Sequence, residues 1–351
     1  MEYCHLGASG LEVARIGLGA VPFGTTLDEK SSRRMLDMYH DAGGNLIDTA
    51  NVYGTTTREE HNEKVGTSER TVGKILAGRR DHFVLATKGC WQMEVPLRPN
   101  GFGLSRAYLS RNIEASLKRL GCDYIDLYQC HCIDPYTPVE ETLRVLDDFV
   151  RAGKIRYVGV SNWDGWQVTR AVDHALNMGL TRVVSNQIWY NLADRIAEFA
   201  IVPACRDREV SIIAWGALAM GFLSGKYDRG DSQPSGRFDV IKDSEMCSWR
   251  NLATERNFST IDLLRTTARQ IGQPIPSVAL RWLLQAGTCD VALVGASRLS
   301  QMTDNLQAMS FELDDSQMRL LRETSELPHP YPHSFWEQFC YRDSPFFGGA
   351  R

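Results

Sequence analysis

The chain has 351 residues, 43% hydrophobic and 23% charged, and its 39 Lys+Arg against 43 Asp+Glu leave a net charge of −4. This balance excludes the basic footprint of a nucleic-acid-binding protein and an acidic tail. Length alone suggests two domains at about 150 residues each, with a single (β/α)8 barrel as the main exception. The first residues, MEYCHLGASG, carry no apolar run, and the longest apolar stretch, around Ile212–Leu223, is too short to span a bilayer. A soluble, cytoplasmic chain without a membrane partner is expected. Its nine cysteines are an odd number scattered along the sequence, which reads as reduced and mostly buried thiols.

In chain order, Tyr3–Leu6 and Leu11–Ala14 flank Gly7-Ala-Ser-Gly10 and predict a β-hairpin. Eight near-continuous apolar runs then predict parallel strands buried on both faces: Ile16–Val21, Asn45–Ala50, Phe83–Lys88, Ile125–His131, Ile155–Asn162, Val183–Trp189, Ile212–Leu218 and Val291–Ala296. Helical patterns fill the gaps. Asp28–Ala42, Ser105–Leu120, Pro138–Ala152 and Asp164–Met178 open on capping residues or proline and each stops at a glycine. Asp194–Arg208, Phe258–Ile271, Pro276–Gln285 and Leu299–Met309 are further helical stretches. The alternation predicts one domain: a (β/α)8 barrel over 15–313, plugged at its N-terminal end by the hairpin of 1–14 and followed by a tail, 314–351. Strands seven and eight are unusually far apart, and Tyr227–Arg250 between them reads as a polar insertion loop. The tail is rich in aromatics, with Tyr331, Phe335, Trp336, Phe339, Tyr341, Phe346 and Phe347. It either roofs a pocket, packs on the flank or meets a second subunit, so monomer and homo-oligomer both stay open.

In such a barrel the chemistry sits at the C-terminal ends of strands. Strand two ends in IDTANVYG, placing Asp48 and then Tyr53; strand three ends at Lys88 and strand four at His131. An unpaired buried charge costs several kcal/mol, so apolar strands ending in Asp, Lys and His need a reason. Asp48 can pair with Lys88, and a lysine beside Tyr53 favours the phenolate and lowers the Tyr pKa. Such a tyrosine can exchange a proton with a carbonyl oxygen that His131 orients.

The motifs GLGAVPFGT, DTANVYG, ATKG, LYQCH, GVSNW, NQIWY, AWGALAMGFLSGKY and LVGASRLSQMTDN, in this order, resemble the aldo-keto reductases from about Tyr3 to Leu313. The resemblance implies an NADP(H)-using barrel that acts on a small-molecule carbonyl or alcohol. It also implies that Asp48, Tyr53, Lys88 and His131 form the catalytic tetrad. The chain resembles the bacterial reductases and also the potassium-channel β subunits, notably at Trp215, so a cofactor-binding regulatory subunit is the alternative. His131 favours the enzyme, because the channel branch carries Asn there.

A complete Gly-x-Gly-x-x-Gly fingerprint is absent, since Gly17-Leu-Gly19 runs into Ala20, Val21 and Pro22. In a barrel, phosphate sites lie in the loops after strands seven and eight. After strand eight, Gly295, Ser297 and the first amides of the next helix suit an anion, and Arg298 suits a 2′-phosphate. The resemblance assigns Ser297, Gln301 and Asn305 to the adenosine-phosphate end. After strand seven it stacks Trp215 on the nicotinamide and runs Gly216, Ala217, Leu218, Ala219, Gly221 and Lys226 along the pyrophosphate, with Gly19, Ala20, Val21 and Asp48 beside the cofactor. The family often shows Ser-Pro at Gly216-Ala217, so this stretch departs from the pattern. The insertion either folds over the cofactor as a clamp, with Arg237 as a contact, or is a surface loop. Ser161, Asn162 and Gln187 end strands five and six. They read as capping residues, or, with the resemblance, as holders of the nicotinamide carboxamide. Phe23, Trp91 and Trp163 either line an apolar substrate pocket or pack between loops, with Tyr53 and His131 at its base. Cys130-His131-Cys132 has no second Cys/His pair at ligand spacing nearby, so no metal is expected.

Overall fold

The computed structural model describes residues 1–54, 65–93, 96–231, 238 and 247–340. Ten strands are labelled in chain order: β1 Tyr3–His5, β2 Glu12–Ala14, β3 Ile16–Gly19, β4 Leu46–Asp48, β5 Val84–Gly89, β6 Ile125–Cys130, β7 Ile155–Ser161, β8 Val183–Trp189, β9 Ser211–Trp215 and β10 Val291–Val294. β1 and β2 pair antiparallel, and β3 to β10 close into a barrel in sequence order, with β10 beside β3. The pairs within the barrel are parallel. This is a (β/α)8 barrel with an N-terminal hairpin.

The helices form for reasons visible in the sequence. Asp28 caps Glu29–Asp41 through the Ser31 amide, 2.7 Å away. Arg106–Leu120 and Gly165–Met178 end at Gly121 and Gly179, both left-handed. One expected helix, Asp194–Arg208, is instead a single 3-10 turn, Ile196–Phe199, followed by Ile201–Asp207. Pro203 has no N–H to give Phe199, so an uninterrupted helix cannot run through it. Among the described residues, the helices Thr67–Leu76, Trp249–Leu252, Asp315–Thr324 and His333–Phe339 escaped the sequence reading. Thr67–Leu76 follows a left-handed Gly66 with no side-chain cap, so its start carries no capping signal.

Leu6, Leu11 and Val13 of the hairpin seal the barrel floor against Leu46, Leu127, Val184 and Leu293. The Gly7 amide donates to Ser211 Oγ at 2.8 Å and the Ala8 amide to the Glu209 carbonyl at 3.0 Å, which locks the plug to the base of β9. A second, larger apolar cluster joins the barrel wall to the surrounding helices. Among the described residues, no helix is long and apolar enough to cross a membrane.

Candidate active site

The opposite rim gathers polar side chains from several strand ends. Lys88, 0% exposed, lies one residue before the end of β5. Its ammonium forms an ion pair with Asp48 and donates to the Thr49 carbonyl at 3.0 Å and to Tyr53 Oη at 3.2 Å. The other Asp48 oxygen accepts from Gln129 Nε2 at 3.0 Å and Gln187 Nε2 at 2.8 Å. Burial pulls the Lys88 pKa down, but Asp48 and Tyr53 outweigh it and the net shift is upward. Lys88 is therefore a fixed cation against the tyrosine hydroxyl.

His131 directly follows β6, held by its amide to the Gly89 carbonyl at 3.0 Å. Its ring meets Tyr53 edge-on at 5.8 Å and Trp91 at 6.1 Å. Burial first, and the Lys88 charge second, push its pKa well below the usual value. The imidazole is neutral at physiological pH. Its Nδ1 is buried with no hydrogen-bond partner among the described residues, and such an atom needs an explanation.

Gln129 is a site residue that the sequence reading did not single out. It stands beside Lys88 in the β5–β6 register, and both are fully buried. A glutamine inside an apolar strand, two residues before His131, was the available signal. Gln187 Nε2 serves Asp48 as well and donates to Gln129 Oε1 at 3.2 Å.

Asn162 occupies a left-handed conformation, φ 58°. Its amide donates to the His131 carbonyl at 3.1 Å and to Ser161 Oγ at 3.0 Å, and its oxygen accepts from Trp215 Nε1 at 2.9 Å. Ser161 Oγ itself donates to the Gln187 carbonyl at 2.8 Å. Asn162 thus ties three strand ends together.

After β9 the chain turns at once, which cuts the expected strand Ile212–Leu218 to Ser211–Trp215. Gly216, Ala219, Met220, Gly221 and Gly225 all have positive φ, including two residues with side chains. At Gly216, a Cβ would lie 2.2 Å from the Trp189 ring, so glycine is required there. The Trp189 and Trp215 rings meet at 4.9 Å. This explains the departure at Gly216: the bulk of Trp189 occupies the space that a serine would need. The turn closes on itself, the Ala219 amide donating to the Gly216 carbonyl at 2.7 Å and the Gly221 amide to the Leu218 carbonyl at 2.9 Å. The ammonium of Lys226 would lie 3.6 Å from a Cβ placed on Gly221. A strained turn with a neighbouring cation fits an anionic dinucleotide.

After β10, Gln301 Oε1 accepts from the Ser297 amide at 2.9 Å, Ser297 Oγ at 3.1 Å and the Arg298 amide at 3.2 Å. Gly295, Ser297, Arg298 and Gln301 are exposed on one rim, whereas Asn305 is buried. Ala20 is buried and donates its amide to the Asp48 carbonyl at 2.8 Å, with Gly19 and Val21 on either side. Arg237 lies outside the described residues.

Two expected pocket residues are corrected. Phe23 is 0% and Trp163 1% exposed, and both belong to the large apolar cluster. They pack between loops because burying a large aromatic outweighs leaving it at the rim. Trp91, 41% exposed, stands open beside His131, with Phe102 edge-on at 5.7 Å.

The model of the aldo/keto reductase family matches residues 15–326. The chain belongs to this family. It is 34% identical to an uncharacterized oxidoreductase of Bacillus subtilis, over 92% of this chain and 95% of that protein. It is 32% identical to a probable voltage-gated potassium channel subunit beta of rice, over 88% of this chain and 91% of the relative. It is 31% identical to the aryl-alcohol dehydrogenase [NADP(+)] of Phanerodontia chrysosporium, over 92% of this chain and 86% of that enzyme. As an aldo/keto reductase the chain is an oxidoreductase.

Proposed function

We propose that this aldo/keto reductase interconverts a small aldehyde or ketone and its alcohol, using NADP(H), with Tyr53 as the proton donor and acceptor. The observation that carries the reading is the Tyr53 hydroxyl 3.2 Å from a fully buried Lys88 ammonium. NADPH, when bound, supplies the hydride. Tyr53 gives its proton to the carbonyl oxygen as negative charge grows there. Lys88 stabilises the phenolate left behind, and Asp48 holds Lys88 in place with help from Gln129 and Gln187. Neutral His131 offers an N–H to the same oxygen and orients the carbonyl. Trp91 supplies an apolar wall.

For the cofactor, the turn from Gly216 to Gly221, Lys226 and Trp215 form the pyrophosphate and nicotinamide end. Ser297, Arg298 and Gln301 form the adenosine-phosphate end. The exposed guanidinium of Arg298 matches a 2′-phosphate and supports NADP over NAD.

The test is a panel of carbonyls and alcohols followed by NADPH absorbance in both directions. Tyr53→Phe is expected to bind NADPH normally and lose at least about 100-fold in turnover, the scale of lost acid catalysis. Near-normal turnover in that variant sinks the assignment. If NADPH binds but no carbonyl or alcohol turns over, the reading that fits is a regulatory subunit, as in the rice relative's name.

A further inference from the structure

Two thiols stand beside the site and play no part in the proposed chemistry. Cys90 directly follows β5 and precedes Trp91; Cys132 directly follows His131. Their sulfurs are 3.2 Å apart, with Cys90 buried and Cys132 partly open. The two segments are already neighbours, through the His131 amide and the Gly89 carbonyl. A sulfur–sulfur bond measures about 2.05 Å, so closing one here requires an approach of roughly 1 Å. Cys130, two residues earlier, is buried in the strand.

We propose that Cys90 and Cys132 are an oxidisable dithiol, whose disulfide joins the Trp91 and His131 segments across the rim and switches the site off. The oxidant is a peroxide. Cys132, the accessible member, attacks the peroxide as its thiolate and becomes a sulfenic acid, while the O–O bond breaks and one oxygen leaves as water or alcohol. Cys90 then attacks the Cys132 sulfur, the S–S bond forms and a second water leaves. Two thiols lose two electrons in total, and one peroxide gains them. The S–H of Cys90 donates toward Cys132 and lowers its pKa, which favours the attacking thiolate. A reversible bond of this kind is the usual form of disulfide in a reducing compartment.

The bond itself is independent of the reductase reading, and only its effect on turnover rests on that reading. The full-length protein is treated with hydrogen peroxide, alkylated and digested without reductant. The expected product is a Cys90–Cys132 linked peptide that dithiothreitol separates. Turnover falls by roughly 100-fold, as expected for an about 1 Å misplacement of reacting groups, and dithiothreitol restores it. In Cys90→Ser the sulfenic acid persists and is trapped by dimedone on Cys132; in Cys130→Ser the link forms as in the parent. Cys90 and Cys132 recovered as separate alkylated thiols, or Cys132 linked instead to the exposed Cys340, overturns the proposal. A linked peptide with unchanged turnover in an active enzyme overturns the switch. A linked peptide in a chain that turns over no substrate upholds the bond and counts against the reductase reading alone.

Discussion

At the N-terminal end of the barrel, Leu6, Leu11 and Val13 close on Leu46, Leu127, Val184 and Leu293, side chain against side chain. At the other end, the same strands finish in Asp48, Lys88 and Gln129, just as thoroughly buried. Burial in the first case is stabilising by itself, at about 25 cal/mol per Å² of apolar surface. In the second it is favourable only while each polar group keeps its partner. One fold therefore holds a floor where trimming costs stability alone and a rim where it costs stability and activity together. The difference lies in what a deletion leaves behind: a cavity at the floor, an uncompensated charge at the rim.

Lys88→Met is the harshest test of that contrast. It leaves Asp48 buried opposite a methyl group, and a loss of roughly 3–5 kcal/mol is expected in denaturant unfolding, together with activity. Adding Asp48→Asn is expected to recover most of the stability and none of the activity. Recovery of both erases the distinction between the ends. Leu6→Ala, at the floor, is expected to cost about 2–5 kcal/mol with kcat unchanged for the folded protein. A fall in kcat would mean that floor and rim are coupled.

Acid acts on the rim through His131. Its folded pKa lies below its unfolded value of about 6.5, so the unfolded chain binds the proton more readily. His131's contribution is complete above that pH and declines as the pH falls through the folded pKa. His131→Asn is expected to flatten this part of the stability–pH curve; an unchanged curve assigns the acid sensitivity elsewhere. The smallest effect is expected at the exposed Arg298. Arg298→Ala weakens NADPH binding by about tenfold, or ~1.4 kcal/mol, and NADH binding much less. Equal weakening in a titration of both cofactors removes Arg298 from 2′-phosphate recognition.

The same contrast explains what could be read from sequence. Apolar runs of strand length marked the eight barrel strands, because burial on both faces demands them. Asp48, Lys88 and His131 stood out as ionisable residues at the ends of such runs. Gln129 did not, since a neutral amide breaks the pattern weakly and its partner Asp48 is 81 residues away. Phe23 and Trp163 stayed undecided because an aromatic after a strand can face either outward or inward, and only tertiary packing decides. The tie from Asn162 to Trp215 was illegible too: it depends on a left-handed backbone at a non-glycine residue.

Trp189 and Gly216 also constrain how this loop can change over generations. The ring at 189 fills the space a side chain at 216 would need. A lineage moving from this loop to the Ser-Pro form must therefore shrink position 189 first, and one moving the other way must gain the glycine before the indole. The two sites are 27 positions apart yet mutate in a fixed order, so exchanging either alone between relatives carries a penalty that exchanging both together does not.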